Sequence, residues 1–393
     1  MRKSLICFIT TFIFYQGFTQ EKILIDNITI VGNNITKEAI ILRELTFKKG
    51  EGLSQKQIEE KIKQSKENLT NLSLFNFVDI KSVARNTKAD ITIDVVERWY
   101  IWPYPILELS ERNFNVWWDE FKESNYSDFS RLNYGVYLVW ENFRGKNQLL
   151  KIKYRKGFKE HYLFRYEIPY FNKEKTIGIS AFAQQFRRKK SFYNTIDNKL
   201  LYYENGDKYT TKDSEFQITI LYRKNTRNKH KLRLNYLQSN IADSIKSYNP
   251  DYLKNGKLKG DYFQINYQYA NEQRDYVYYP LHGHYLHFEL TKNFGGSSPV
   301  NHFEAMAKAE KHIEIQNRLF IGSSFKAKVS SDGYQPYFAQ KGLGFDDYVR
   351  TYEYYVVDGQ NYWLSKTAIR YALIEKTDFE IPYIKMPQFR KGG

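Results

Sequence analysis

From Tyr100 onward the side chains alternate, apolar on one parity and polar on the other, over unusually long stretches. Across 262–269, Phe263, Ile265, Tyr267 and Tyr269 share one face, while Gln264, Asn266 and Gln268 share the other. Leu150, Ile152 and Tyr154 oppose Lys151, Lys153 and Arg155; Tyr162, Phe164, Tyr166 and Ile168 oppose Arg165 and Glu167. Leu232, Leu234 and Tyr236 alternate with Arg233 and Asn235, and Phe216, Ile218, Ile220 and Tyr222 repeat the apolar parity. A period of two marks a strand, and a greasy face opposite a charged one means that the two faces meet different media.

Two environments produce this pattern. A soluble antiparallel sheet also alternates, but its strands typically run about 5–6 residues. The stretches here commonly reach the ~9–11 residues of a tilted membrane strand, and they end in Tyr, Trp and Phe as an aromatic girdle does. Composition agrees: 34 Tyr, 28 Phe and 6 Trp make the 393-residue chain 17% aromatic, and 26% charged residues exclude a bundle of apolar spanning helices. In lipid every backbone amide needs an internal partner, so a sheet there must close into a barrel. The reading is a mainly β chain forming a transmembrane antiparallel β-barrel, with a soluble β-sandwich as the alternative. Twelve strands are expected, near 100–110, 131–143, 147–157, 161–171, 176–188, 213–224, 229–242, 260–272, 283–294, 301–314, 318–330 and 361–375. The longest gap, Ser331 to Gln360, is a loop of the size that usually carries function.

The first 20 residues read as an export signal: Arg2 and Lys3, an apolar run from Leu5 to Phe14, then a more polar exit. The run is short for an uncleaved membrane anchor. The single cysteine, Cys7, falls inside it, so the mature chain has no thiol for a disulfide or a Cys-based metal site. The formal charge of +16 makes the exported protein basic.

Residues 22–98 follow another pattern, β-α-α-β-β. A β-branched strand over 23–31 ends at Gly32-Asn33-Asn34, and Thr36 is placed to cap a helix over 37–45. After the Gly50-Glu51-Gly52 break, Ser54 and Gln57 form a capping box, and Ile58, Ile62, Leu69 and Leu72 recur at helical spacing. Two alternating strands, 77–83 and 90–97, complete a small α+β unit.

That order, with Ile30-Val31-Gly32-Asn33 closing the first strand and Leu74-Phe75-Asn76-Phe77-Val78 opening the second, resembles a POTRA domain. In the long loop, Gly344-Phe345-Asp346-Asp347-Tyr348-Val349-Arg350-Thr351-Tyr352-Glu353 is similar to the inward-folded loop of BamA-type POTRA-barrel proteins, whose core reads Val/Leu-Arg-Gly-Tyr/Phe. Arg274-Asp275-Tyr276, with Pro280 and Gly283, resembles the family's turn before a strand. The chain is thus similar to a single-POTRA member of the BamA superfamily, the bacterial surface antigen family. The resemblance divides it into a signal at 1–20, a POTRA domain at 22–98 and an outer-membrane barrel at 99–393. It also implies a sixteen-stranded barrel, so about twelve strands are expected here, with the C-terminus incomplete after Gln388-Phe389-Arg390-Lys391-Gly392-Gly393. Thr351 stands where the family has Gly, which bears on a backbone conformation that Gly permits.

The resemblance implies a non-enzymatic outer-membrane assembly, insertion or translocation factor without a cofactor. Its periplasmic POTRA would capture unfolded β-clients by strand addition and pass them to the barrel. Expected partners are those clients, outer-membrane lipid and lipopolysaccharide, and possible periplasmic accessory proteins, with no nucleic acid. The seam strand is placed at Ile101, Trp102, Pro103, Tyr104 and Pro105, because prolines that delete ladder donors are tolerated only at an edge or bulge. Arg350 is expected to be buried in the lumen with carboxylate partners, Asp346, Asp347 and Glu353 being near in sequence.

Other constellations point nowhere. His284 and His287 have opposite strand parity, so His282-Gly283-His284-Tyr285-Leu286-His287 makes no metal site. Arg187-Arg188-Lys189-Lys190 could meet phosphate groups or stand as a solvated loop. No catalytic motif is found. The competing function is an anion-selective porin using Lys151, Lys153, Arg155, Arg165, Arg233, Lys326 and Lys328; an inert structural or adhesive barrel is a third.

Overall fold

The computed structural model describes residues 22–110, 114–297, 300–331, 335–352, 355–374, 379–380 and 391–392. The expected export signal and Glu353 lie outside these residues.

The N-terminal unit contains β1 (Ile23–Val31), α1 (Glu38–Glu44), β2 (Gly52–Leu53), α2 (Gln55–Thr70), β3 (Phe75–Arg85) and β4 (Lys88–Glu97). Its sheet order is β2-β1-β4-β3, with β1 parallel to β4 and the other pairs antiparallel. The two-residue β2, read from sequence as a break, pairs with the start of β1. Ile25, Ile91, Ile93 and Val95 pack with Ile41, Ile58 and Leu69 of the helices, an apolar core beneath one face of the sheet. The capping box forms as expected: Ser54 Oγ accepts from the Gln57 amide at 3.4 Å, and Gln57 Oε1 accepts from the Ser54 amide at 2.9 Å.

Thr36 does not cap α1. The N-cap position is Lys37, without a side-chain cap, and the buried Thr36 hydroxyl instead meets Tyr100 Oη at 3.1 Å and accepts from Asn142 Nδ2 at 2.8 Å. A buried hydroxyl must be satisfied, and here its partners lie in the next domain.

Twelve strands form the second sheet, matching the expected number and places. In chain order β5 (Ile101–Leu109), β6 (Leu132–Phe143), β7 (Gln148–Gly157), β8 (Lys159–Ile168) and β9 (Ile177–Arg188) are followed by a small separate hairpin, β10 (Lys190–Ile196) and β11 (Lys199–Glu204). The sheet resumes with β12 (Thr211–Tyr222), β13 (Asn228–Ile241), β14 (Lys259–Glu272), β15 (Gly283–Phe294), β16 (His302–Gln316), β17 (Leu319–Ser330) and β18 (Tyr362–Tyr371). Each pairs antiparallel with its predecessor in the sheet, from β5 at one end to β18 at the other. Among the described residues those two end strands are not paired with one another, so the expected closure is absent there and both outer edges are open. A two-residue pairing, β19 (Phe379–Glu380) with β20 (Lys391–Gly392), stands apart.

The faces divide as the alternation requires. Phe216, Ile218, Ile220, Leu232, Leu234, Phe263 and Ile265 are exposed on the convex apolar side, Ile218 by 56%. On the opposite side Asn266 is only 3% exposed. There an amide ladder crosses three strands: Asn235 Nδ2 donates to Gln264 Oε1 at 2.7 Å, and Gln264 Nε2 donates to Asn293 Oδ1 at 2.8 Å. Asn266 Nδ2 donates to Glu289 Oε1 at 2.7 Å. An inside-out protein of this kind keeps its polar satisfaction in the lumen and its grease outside.

Helical structure does not end at residue 98. Helix α3 (Phe114–Glu123) lies between β5 and β6, and α4 (Asp243–Tyr248) between β13 and β14. α4 belongs to a small aromatic cluster in which Ile241, Ile245, Tyr252 and Leu253 pack against Tyr193, Tyr203, Tyr337 and Phe338. This cap covers the end of the barrel remote from the N-terminal unit.

Candidate functional site

Both helices of the N-terminal unit are pinned to turns at one mouth of the barrel. Glu44, fully buried at the end of α1, accepts from Arg223 Nη2 at 2.5 Å and from Tyr170 Oη at 3.0 Å. Burial, and then the Glu44 carboxylate, pushes the Tyr170 hydroxyl up to about 12. For Arg223 burial works against the charge, yet Glu44 and then Tyr170 together outweigh it and the guanidinium is held above its ordinary range. From α2, Glu67 accepts from Arg227 Nη2 at 2.6 Å and Asn68 Oδ1 from Arg227 Nε at 3.0 Å. Arg43 donates to the carbonyls of Lys175 and Arg223, and the Lys37 amide to that of Gly145. The long strand β3 is the outer strand of the small sheet, and among the described residues no further strand pairs with it.

The motif at Arg274 is a structural hub of this mouth. Arg274 pairs with Glu310 at 2.7 Å and Glu272 at 2.5 Å, and its guanidinium lies 4.5 Å from the Tyr285 ring centre. Asp275 Oδ1 accepts from the amides of Tyr276 (2.9 Å) and Leu281 (3.1 Å), closing the turn. Asn71 at the end of α2 donates to the Asp275 carbonyl and accepts from the Val277 amide. The Pro280 carbonyl accepts from Arg370 of β18 at 2.8 Å. Gly283 has φ +100°, and a Cβ there would stand 2.1 Å from the Gln273 carbonyl oxygen, so only glycine fits.

At β5, the candidate seam strand and an end strand of the sheet, the register shows which donors the prolines delete. Glu141 donates to the Tyr100 carbonyl and Ser110 to that of Arg131, so the even-numbered residues of β5 face β6 and the odd-numbered ones face outward. Pro103 and Pro105 therefore remove no donor from the β5–β6 ladder. They remove two successive donors from the open edge, leaving Ile101 and Leu107 on either side. Trp102 and Tyr104 stack toward the lumen with ring centres 6.3 Å apart, and Tyr104 reaches Tyr137 at 6.0 Å.

The long loop, 331–361, returns into the barrel from the capped end. Phe338, Lys341, Asp346 and Asp347 help line a luminal cavity of about 770 Å³, with Glu304 and Lys328 on its wall. Asp347 Oδ2 accepts from Lys326 Nζ at 2.6 Å and from Tyr362 Oη at 2.7 Å. Lys328 Nζ donates to the Lys341 carbonyl at 3.3 Å and stands 3.6 Å from Glu304. Above it Tyr337 meets Thr195 of the β10–β11 hairpin at 2.7 Å, and the Val356 amide donates to the Asn198 carbonyl.

Arg350 departs from expectation. Its side chain is exposed, and among the described residues no ion pair to it forms; Asp347 is committed to Lys326 and Tyr362 instead. Val349 and Tyr352 close a turn, the Tyr352 amide donating to the Val349 carbonyl at 3.0 Å. Thr351 holds φ +71°, so the left-handed backbone is kept without the glycine that normally supplies it.

The basic run is internally paired: Arg187 with Glu160, Arg188 with Asp213, Lys189 with Asp207 and Lys190 with Glu204. In β15 the register places His287 on the luminal face with Glu289 and His284 on the other.

The sequence family described as the Omp85 superfamily domain matches residues 142–363, more than half of the chain, and the POTRA family, described as a surface antigen variable number repeat, matches 23–98. The chain belongs to the Omp85 superfamily. At the level of that family it is an outer-membrane protein of the insertion or translocation class, with its POTRA domain in the periplasm. The mouth held by the POTRA is therefore periplasmic and the capped end extracellular. No curated protein sequence matches it. Among solved structures, CdiB from Escherichia coli is similar at 13% identity and TM-score 0.50, covering 93% of this chain and 63% of that one. BamA from Haemophilus ducreyi lacking POTRA domains 1-3 aligns at 13% identity and TM-score 0.47, covering 92% of this chain and 68% of that one. The chain thus spans about two thirds of their length.

Sequence reading missed the residues of the Omp85 interdomain contact, Glu44, Glu67, Asn68, Arg223 and Arg227. Nothing local distinguishes them from surface charges, and their partners are remote in sequence. The β10–β11 hairpin had a signal: Asp197-Asn198, both at positive φ, form the tight turn that joins two short aromatic runs.

Proposed function

We propose that this Omp85 protein receives unfolded outer-membrane β-strand clients in the periplasm and passes them to the barrel for insertion or translocation. The observation that carries the reading is that, among the described residues, β3 of the POTRA and β5 of the barrel are both end strands of their sheets, on two domains tied together by Glu44–Arg223 and Glu67–Arg227. An extended client adds to β3 through main-chain hydrogen bonds, a mode indifferent to side-chain sequence. The deleted donors at Pro103 and Pro105 keep β5 from a full ladder with any strand added at its outer edge, so exchange at that edge costs few hydrogen bonds. Outer-membrane lipid and lipopolysaccharide bathe the exposed apolar face, and periplasmic accessory proteins meet the POTRA surface. The protein uses no cofactor and catalyses no covalent step.

The porin reading is the weaker one. Arg155 pairs with Glu108, Arg165 with Glu167, Lys328 with Glu304 and Lys326 with Asp347, so these luminal bases do not form an unbalanced positive path.

The test is reconstitution of the mature chain in vesicles, followed by addition of a urea-unfolded outer-membrane barrel protein. The expected result is a larger heat-modifiable folded fraction of client than in empty vesicles. Equal folding in both, with anion-selective conductance through the reconstituted protein, would overturn the reading in favour of the porin.

A further inference from the structure

We infer that Asp347 is the positioning residue of the luminal loop, and that it fixes the loop by a pairing of reversed polarity, acid on the loop and base on the wall. The inference rests on reading the loop as part of the working lumen of an Omp85 protein. One carboxylate oxygen accepts from Lys326 on β17 and from Tyr362 on β18, the two strands that the loop connects. Both members of the ion pair are largely shielded, with about a fifth of each side chain exposed. A charge-assisted hydrogen bond in such a place is stronger than its surface counterpart.

The surrounding backbone is built to present that carboxylate. The Gly344 amide donates to the Asp347 carbonyl at 2.9 Å, and the Val357 amide donates to that of Leu343 at 2.8 Å. A Cβ on Gly344 would lie 2.2 Å from the Tyr355 carbonyl oxygen, so the returning strand of the loop presses directly on this turn. Next along the wall, Lys328 donates to the Lys341 carbonyl, giving the loop a second base-to-loop tie on the same strand. Arg350, by contrast, is exposed and makes no ion pair among the described residues. The charge that secures the loop is therefore negative and lies three residues before the arginine.

The experiment measures loop position without a client, so its failure leaves the assembly reading standing, and failure of assembly leaves this one standing. In a Cys7→Ser background, Ala339→Cys, on the loop where it lines the cavity, is labelled with a membrane-impermeant maleimide on the full chain in vesicles. Asp347→Asn is expected to speed labelling roughly 10-fold, the opening expected when charged hydrogen bonds are lost. The exchanged pair Lys326→Asp/Asp347→Lys restores slow labelling, and Arg350→Gln leaves the rate within about twofold of the parent, as an exposed unpaired charge should. If Asp347→Asn gives no heat-modifiable band, Tyr362→Phe, which loses only the hydroxyl, is read in its place and is expected to be faster than the parent. Unchanged labelling in Asp347→Asn or Tyr362→Phe, an exchanged pair as open as the single variant, or acceleration by Arg350→Gln would each overturn the inference.

Discussion

Glu44 of the POTRA domain and Arg223 of a barrel turn, 179 residues apart in sequence, meet at 2.5 Å with Glu44 wholly removed from solvent. Tyr170 donates to the same carboxylate, so one acid joins α1 to two periplasmic turns. The POTRA is thereby a fixed floor of the barrel rather than a pendant module.

Removing one partner leaves a buried charge without compensation, at a cost of about 3–5 kcal/mol. Arg223→Gln is expected to release the POTRA, and Glu44→Gln to do so less, since the amide keeps a contact with Arg223 without a formal charge. Distances between spin labels on α2 and on the β14–β15 turn should broaden in Arg223→Gln and stay narrow in the parent; an unchanged distribution would contradict the rigid floor.

The same contact carries an alkaline limit. Tyr170 titrates at about 12 in the folded protein against an ordinary value of about 10. Below the ordinary value both states hold the proton and the contribution is complete. Between the two, the undocked state has released it while the docked state has not, so stability falls as pH rises and the contribution is gone above the folded value. Undocking midpoints of the parent minus those of Tyr170→Phe should therefore decline from pH 10 upward and be flat below; a decline beginning near neutrality would refute the assignment.

The direction of the barrel wall is testable with neighbouring residues. Ile218 points out to lipid and Gln217 into the lumen, both in β12. Lysine at the outward position costs ~2–4 kcal/mol if it lies near the bilayer midplane. Ile218→Lys is expected to lower the urea midpoint of the heat-modifiable form, with Gln217→Lys nearly neutral; equal effects would mean that the two faces meet the same medium.

Thr351 keeps a left-handed backbone that costs an L residue with a Cβ roughly 1–2 kcal/mol. Thr351→Gly removes that strain and slows amide exchange of the 349–352 turn, by up to about tenfold if the whole cost is relieved, since 1.4 kcal/mol is tenfold. Faster exchange in the glycine variant would show that the threonine hydroxyl, which donates to the Arg350 carbonyl at 2.6 Å, outweighs the strain.

Strand positions were legible because lipid and lumen impose opposite demands on successive residues, and the pattern over Leu232 to Tyr236 or Phe263 to Tyr269 survives any detail of packing. Helix α3 was hidden because Trp117, Trp118 and Phe121, which cluster with one another in the structure, have the composition of a membrane girdle. The place of the long loop could be read, but not its anchor. A motif centred on Arg350 drew the expectation to the arginine, whereas the choice between Arg350 and Asp347 depends on which wall residue lies opposite, and Lys326 comes from another strand. The interdomain contact was likewise out of reach, since charge pairs distant in sequence leave no local pattern.

The outward face of β5 has a bearing on the protein's life before it reaches the membrane. A flat edge with an unbroken row of amides is a template on which a second copy can stack, and such stacking propagates. With Pro103 and Pro105 side by side on that row, a neighbouring chain finds acceptors but no donors over the middle of the strand. The open edge of β5 is in this way kept from seeding aggregates of its own kind.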